Sequence, residues 1–184
     1  QMSSVGLPER TFEPREAEKK ALLNLLADED ASVHQAIRAR ILTYGFSATR
    51  WLQPSTLSSD PVLRRRAMEI IQCLSRQASD NRFLGFCLTQ GEELDIEDGS
   101  LLLAQTQFPE INTLAYQALF DSYAADLKEQ IDPSAPAEQV IAVMNHFLFE
   151  ELGYHGNEEN YYDPENSYIN RVVDRRTGNP ISLC

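Results

Sequence analysis

The densest collection of chemically capable side chains lies between Tyr154 and Pro180, where Asn, Asp, Glu, Tyr, Arg and Gly displace the helical patterning of the residues before them. Three kinds of chemistry are open to it. Glu158, Glu159, Asp163 and Glu165, with Asn157, Asn160 and Asn166, offer the oxygens that calcium takes, but they lack the order of an EF-hand loop and no metal site is assigned. Asp174-Arg175-Arg176 carries a guanidinium fork that fits a carboxylate, whether of an acidic ligand or of the chain itself. Asp163-Pro164 and Asn166-Ser167 are turn formers, and Gly178 supplies a permissive backbone just ahead of Pro180. These residues are expected to shape a pocket more than to catalyse. Tyr154, Tyr161, Tyr162, Tyr168, Ile169, Val172 and Val173 give the stretch enough apolar surface to be pinned down, so it reads as an ordered loop without secondary structure.

The elements that must position this segment are helices. The 184 residues are 42% hydrophobic and 24% charged, enough for one large domain or two small ones. From Pro14 an apolar stripe of Ala21, Leu22, Leu25 and Leu26 predicts a helix with Glu16 and Glu18 in its first turn. Asp30 or Ser32 caps a second, with Val33, Ile37, Ile41 and Tyr44 on one face before Gly45. Trp51 and Leu52 belong to a short third, limited by Pro54. Asp60-Pro61 opens a fourth with Leu63, Ala67, Ile70, Ile71 and Leu74 inward. Asp80 or Asn81 then starts a separate short helix through Phe83 and Phe86, ended by Gly91. Asp98 or Ser100 starts the next, and Asn112 or Thr113 a longer one whose stripe from Tyr116 to Ile131 reads as core.

The last helix of the series, after Asp132-Pro133-Ser134-Ala135-Pro136, carries Val140, Ile141, Met144, Phe147, Leu148 and Leu152 and ends at Gly153. Asn145 stands among them at helical spacing from Ile141, Leu148 and Leu152. Its amide is expected to face inward and to organise the loop that follows.

Composition bounds the function. The net charge of −12 argues against a general nucleic-acid binder, and Arg64-Arg65-Arg66 on a helix does not make one basic face. No apolar run approaches the roughly 18–20 residues that span a bilayer, and no signal peptide is recognisable, so a soluble cytoplasmic protein is expected. Cys73, Cys87 and Cys184 fit neither a disulfide framework nor a zinc site. They read as reduced thiols. No cofactor is expected; a protein or peptide is the partner class that remains, and the oligomeric state is open.

Two resemblances follow from particular residues. Asp30-Ala31-Ser32-Val33-His34 and Asp60-Pro61-Val62-Leu63-Arg64 are similar helix starts 30 residues apart. They resemble the second-helix start of HEAT-type repeats, although those run to about 40 residues. The second resemblance is denser. Asn145-His146-Phe147-Leu148-Phe149-Glu150-Glu151-Leu152-Gly153-Tyr154, Gly156-Asn157, Tyr161 to Tyr168, and Val173-Asp174-Arg175-Arg176-Thr177-Gly178-Asn179-Pro180-Ile181-Ser182-Leu183 resemble the bacterial SirB-type transglutaminase-like family. The likeness covers about the last forty residues, with a fainter lead-in from Gly99 to Tyr123.

That resemblance implies the fold of transglutaminases and papain-like cysteine hydrolases. In the active members a cysteine opening a helix is the nucleophile, and here the helix is expected to open at Pro180, which cannot attack. Cys184, one turn further on, is the remaining candidate nucleophile, and His146 and His155, both ahead of the motif, are the histidines that could supply a base. The sequence therefore predicts a mainly α chain: a flexible lead (1–12), a HEAT-like helical array (13–90), and the start of a transglutaminase-like domain (91–184) that reads as a helix cut off in its first turns. Its expected role is non-enzymatic binding, with a cysteine-dependent hydrolase or transferase as the rival. The residues expected to build the pocket are Asn145, Tyr162, Asp163, Asn166, Ser167, Asp174, Arg175, Gly178 and Pro180.

Overall fold

In the computed structural model, residues 13–90 and 94–184 are described; the lead and Gly91 lie outside them. The described chain is a helical array with a single two-residue parallel ladder. It divides into two compact units, meeting between Ala78 and Ser79 in the sequence.

The first unit holds α1 (Glu16–Leu26), α2 (Ala31–Leu42), α3 (Ala48–Leu52) and the N-terminal part of α4 (Pro61–Thr89). Short polar side chains set the starts. Asp30 accepts from the Ser32 N–H at 2.7 Å, and Asp60 from the Val62 and Leu63 N–H groups at 2.8 and 3.3 Å. Each cap satisfies donors that a helix cannot satisfy internally, worth about 1 kcal/mol. The core joins Leu22 and Leu26 of α1 to Ile41, Leu52, Ile70 and Leu74. Leu25, expected within the α1 stripe, is 42% exposed, because the buried face runs through the i, i+4 pair Leu22 and Leu26 alone.

Arg66 ties this unit together. Its Nη1 donates to the Leu26 and Asp28 carbonyls at 2.7 and 2.6 Å, capping the C-terminal end of α1 from 40 and 38 residues away. Beside it, the buried Nε2 of His34 has no hydrogen-bond partner. Burial pushes this imidazole below its ordinary 6.5, with Arg66, Arg38 and Arg65 adding to the effect and Glu69 opposing it. The sign follows from linkage. Above pH 6.5 neither the folded nor the unfolded imidazole is charged; as the pH falls below 6.5, the unfolded chain takes up a proton that the folded one resists, and stability is lost. Thermal melts followed by Trp51 fluorescence should show wild type losing more between pH 7.5 and pH 5 than His34→Phe does.

The long α4 corrects one expectation. No second helix starts at Asp80 or Asn81: the helix runs unbroken to Thr89, since the stretch contains no proline and Ser79, 1% exposed, is held within it by Arg82 Nη2 at 3.2 Å. Likewise α5 (Ile96–Gln107) begins earlier than expected, because Asp95 accepts from the Asp98 N–H at 2.9 Å.

In the second unit, α5 is followed by α6 (Thr113–Gln130) and α7 (Ala137–Asn145), then by a π-helical turn, His146–Glu151. The π turn closes through Leu152 N–H to the Phe147 carbonyl at 2.9 Å, and Gly153 ends it at φ +72°. The aromatic stripe of α6 is only half-buried: no residue of α6 or α7 is fully enclosed, and Tyr123 meets Phe147 edge-on at 5.9 Å. The remaining elements are β1 (His155–Gly156), a 3-10 turn (Pro164–Ser167), α8 (Ile169–Arg175), β2 (Thr177–Gly178) and α9 (Pro180–Leu183). The segment expected to lack secondary structure thus contains a helix, packed on α5 and with Val172 buried, and a parallel ladder pairing His155 with Thr177 and Gly156 with Gly178.

Candidate functional site

The site grows from one buried amide. Asn166, 1% exposed, sits in the 3-10 turn and uses its side chain in both directions. Its Nδ2 donates to the Asn160 and Tyr161 carbonyls at 3.0 and 3.1 Å, and its Oδ1 accepts from Asn157 Nδ2 at 2.9 Å. Its backbone carbonyl accepts from Ser182 Oγ at 2.7 Å. One residue therefore joins the 157–161 loop to α9, and its buried polar atoms are satisfied as the interior requires.

α9 starts with a reciprocal cap. Asn179 Oδ1 accepts from the Ser182 N–H at 2.9 Å while Ser182 Oγ accepts from the Asn179 N–H at 3.0 Å, with Pro180 at the first helical position. Asn179 Nδ2 also donates to Ser167 Oγ at 2.9 Å. Gly178 is buried against this cap: a Cβ there would lie 2.6 Å from Ser182 Oγ and 3.1 Å from Val172 Cγ1. The requirement at Gly178 is space, since among the described residues the positive-φ glycines are Gly45 and Gly153.

A charged clasp closes the other side. Arg175 Nη2 donates to Asp163 Oδ2 at 2.7 Å and its Nη1 to Glu165 Oε2 at 2.8 Å, and Arg171 Nε reaches the same Glu165 oxygen at 2.7 Å. The Arg175 hydrogen bond, helped by the Glu165 backbone N–H, holds the Asp163 carboxyl below its usual range. Arg171 also lies 5.5 Å from the Phe108 ring, and Tyr116 donates to Asp174 at 2.8 Å. Burial first, and that bond second, push the Tyr116 phenol up to about 12. The internal pairing of the Asp174-Arg175-Arg176 fork, one of its two sequence readings, is the one adopted by Arg175.

Two concavities flank this framework. One is an apolar groove of about 140 Å³, lined by Phe120, Tyr123, Leu148, Phe149, Ile169 and Leu183. The other is a polar cleft of about 480 Å³ beside the ladder, lined by His155, Asn157, Glu158, Glu159, Arg175 and Thr177. His155 Nδ1 lies 3.0 Å from the Gly156 carbonyl and Nε2 3.4 Å from Thr177 Oγ1. Among the described residues no group of three or more His, Cys, Asp or Glu is placed to hold a metal ion.

The structure gathers Asp163, Asn166, Ser167, Asp174, Arg175, Gly178 and Pro180 around α8 and α9. Asn145 is not among them. It is exposed, as is Ile141 one turn before it at 55%, so this face of α7 is already turned outward ahead of the π turn. Tyr162 is 90% exposed at a turn tip, and Cys184 is an exposed free thiol at the far end of α9. Asn179, Ser182, Tyr116 and Arg171 are the contributors that sequence reasoning missed. For the first two the signal was present: Asn-Pro-x-Ser reads as a cap with proline at the first helical position. For Tyr116, 58 residues from Asp174, there was none.

Residues 114–184 match the transglutaminase-like superfamily. Among curated proteins, the UPF0162 protein of Xylella fastidiosa (strain Temecula1 / ATCC 700964) is 40% identical over 93 residues, 50% of this chain and 33% of the relative; that of strain 9a5c gives the same figures. F-box only protein 21 of Pongo abelii is 35% identical over 71 residues, 39% of this chain and 10% of the relative. The human F-box only protein 21 is 44% identical over 45 residues, 24% of this chain and 7% of the relative. The chain spans about a third of the length of the bacterial relatives it matches. No solved structure matches it.

Proposed function

We propose that this chain is part of a SirB-type transglutaminase-like protein that acts through binding, with the Tyr161–Pro180 segment as its recognition surface. The observation that carries this reading is the start of α9. In the active superfamily the nucleophile opens this helix, where a thiolate gains from free N–H groups and the positive end of the dipole. Here that place is held by Pro180, which has no N–H, and the Ser182 and Leu183 N–H groups both donate to Asn179, through its side chain and its carbonyl. The helix start is spent on holding itself. A HEAT-like role for the first unit, as a scaffold for a partner, is compatible with this reading and rests on its two capped helix starts.

The rival is a cysteine-dependent hydrolase or transferase using Cys184, which draws on the accessibility of that thiol. Cys87 is also exposed and serves as an internal comparison. Alkylation by iodoacetamide near neutral pH, read site by site by mass spectrometry, should proceed at similar rates at the two cysteines. Cys184 reacting more than about tenfold faster, with Cys184→Ala abolishing turnover of a peptide amide, would sink the binding reading.

A further inference from the structure

Tyr161 and Tyr162 are the central residues of a turn closed by the Asp163 N–H on the Asn160 carbonyl at 3.1 Å. Turn chemistry asks for Gly, Asn, Asp or Pro at such positions, not for two tyrosines. Nor does packing ask for them: Tyr161 is 57% and Tyr162 90% exposed. The two rings nevertheless meet edge to face at 5.2 Å, on a loop whose backbone Asn166 and Asn157 hold from beneath. This displays aromatic surface to water from a held backbone, and such tyrosines are typical anchors of interfaces.

The charge beside them says what they fit. Glu158 and Glu159, within about 7–14 Å of the turn tip along the backbone, stand on the wall of the polar cleft and form no ion pair among the described residues. Arg175, on the same cleft wall, and Arg171 are both committed to Asp163 and Glu165. A second copy of this chain, at net charge −12, would bring like charge to like. A guanidinium answers both features, stacking on a tyrosine face and taking a carboxylate with its fork.

We infer that the Tyr161–Tyr162 turn and the adjoining cleft dock an arginine-bearing segment of another protein. This rests on the binding reading above and names its partner chemistry. The test is fluorescence anisotropy of the whole chain with a labelled nonapeptide carrying three arginines, and with the same peptide carrying citrulline instead. The arginine peptide should bind at least about fivefold more tightly, and Tyr162→Ala and Glu158→Gln/Glu159→Gln should each remove about that factor. Their unchanged circular dichroism would show that the fold is not the cause. Equal binding of the two peptides, equal binding by the variants, or a self-dimer that Tyr162→Ala dissociates would each overturn the proposal. The binding reading itself is tested separately, by the Cys184 experiment.

Discussion

Asn166→Ala is expected to destabilise the second unit by about 2–4 kcal/mol, as the loss of a fully buried amide that no other group can replace. The side chain makes three hydrogen bonds, to Asn157, Asn160 and Tyr161, and all three disappear together. Each is worth about 1 kcal/mol net, and the partners left behind add a desolvation cost wherever water does not reach them. Hydrogen exchange should show amides of the 157–161 loop losing protection first, because the side chain holds that loop, whereas α9 hangs on the Asn166 backbone carbonyl and on Asn179, which the substitution leaves in place. Asn166→Asp should be nearly as damaging: it keeps the shape but replaces two donated bonds with a carboxylate facing two carbonyls. If either variant unfolds in urea with the wild-type midpoint, the amide is not the tether described.

Gly178→Ala is expected to cost about 1–3 kcal/mol through overpacking. The added methyl would stand 2.6 Å from Ser182 Oγ, which cannot easily yield because it is engaged with the Asn166 carbonyl and the Asn179 N–H. Leu183 Cγ and Val172 Cγ1, both at 3.1 Å, close the other directions. Combining the change with Ser182→Ala removes the nearest clash and also removes the bonds that hold it there. The double variant should therefore be less destabilised than the sum of the singles, a coupling measurable by urea unfolding. Strict additivity would show that Gly178 matters for some reason other than its fit against Ser182.

These two residues show how unevenly the site could be read beforehand. Gly178 was recognisable as special, but for conformational freedom, whereas its backbone is ordinary and its lack of a side chain is what matters. Asn166 was recognisable as a turn former beside Ser167, and it is one, but that role is the smaller part of what it does. Arg175 had two eligible readings, and only the approach of Asp163 and Glu165 to α8 selects the internal one. Asn145 was misread because Ile141, taken as core, is itself exposed, so apolar spacing alone did not mark the buried side of α7.

The amino-acid sequence by itself determined the helical character, the cap residues Asp30 and Asp60, the helix start at Pro180 and the Gly153 stop, because each depends on contacts within about one turn of chain. Tertiary structure alone decided that Arg66 caps α1, that Tyr116 meets Asp174, and that the segment from Tyr154 folds back into a ladder and a helix. Those outcomes join groups up to 58 residues apart, and which donor reaches which acceptor is settled only when packing brings them within hydrogen-bonding distance.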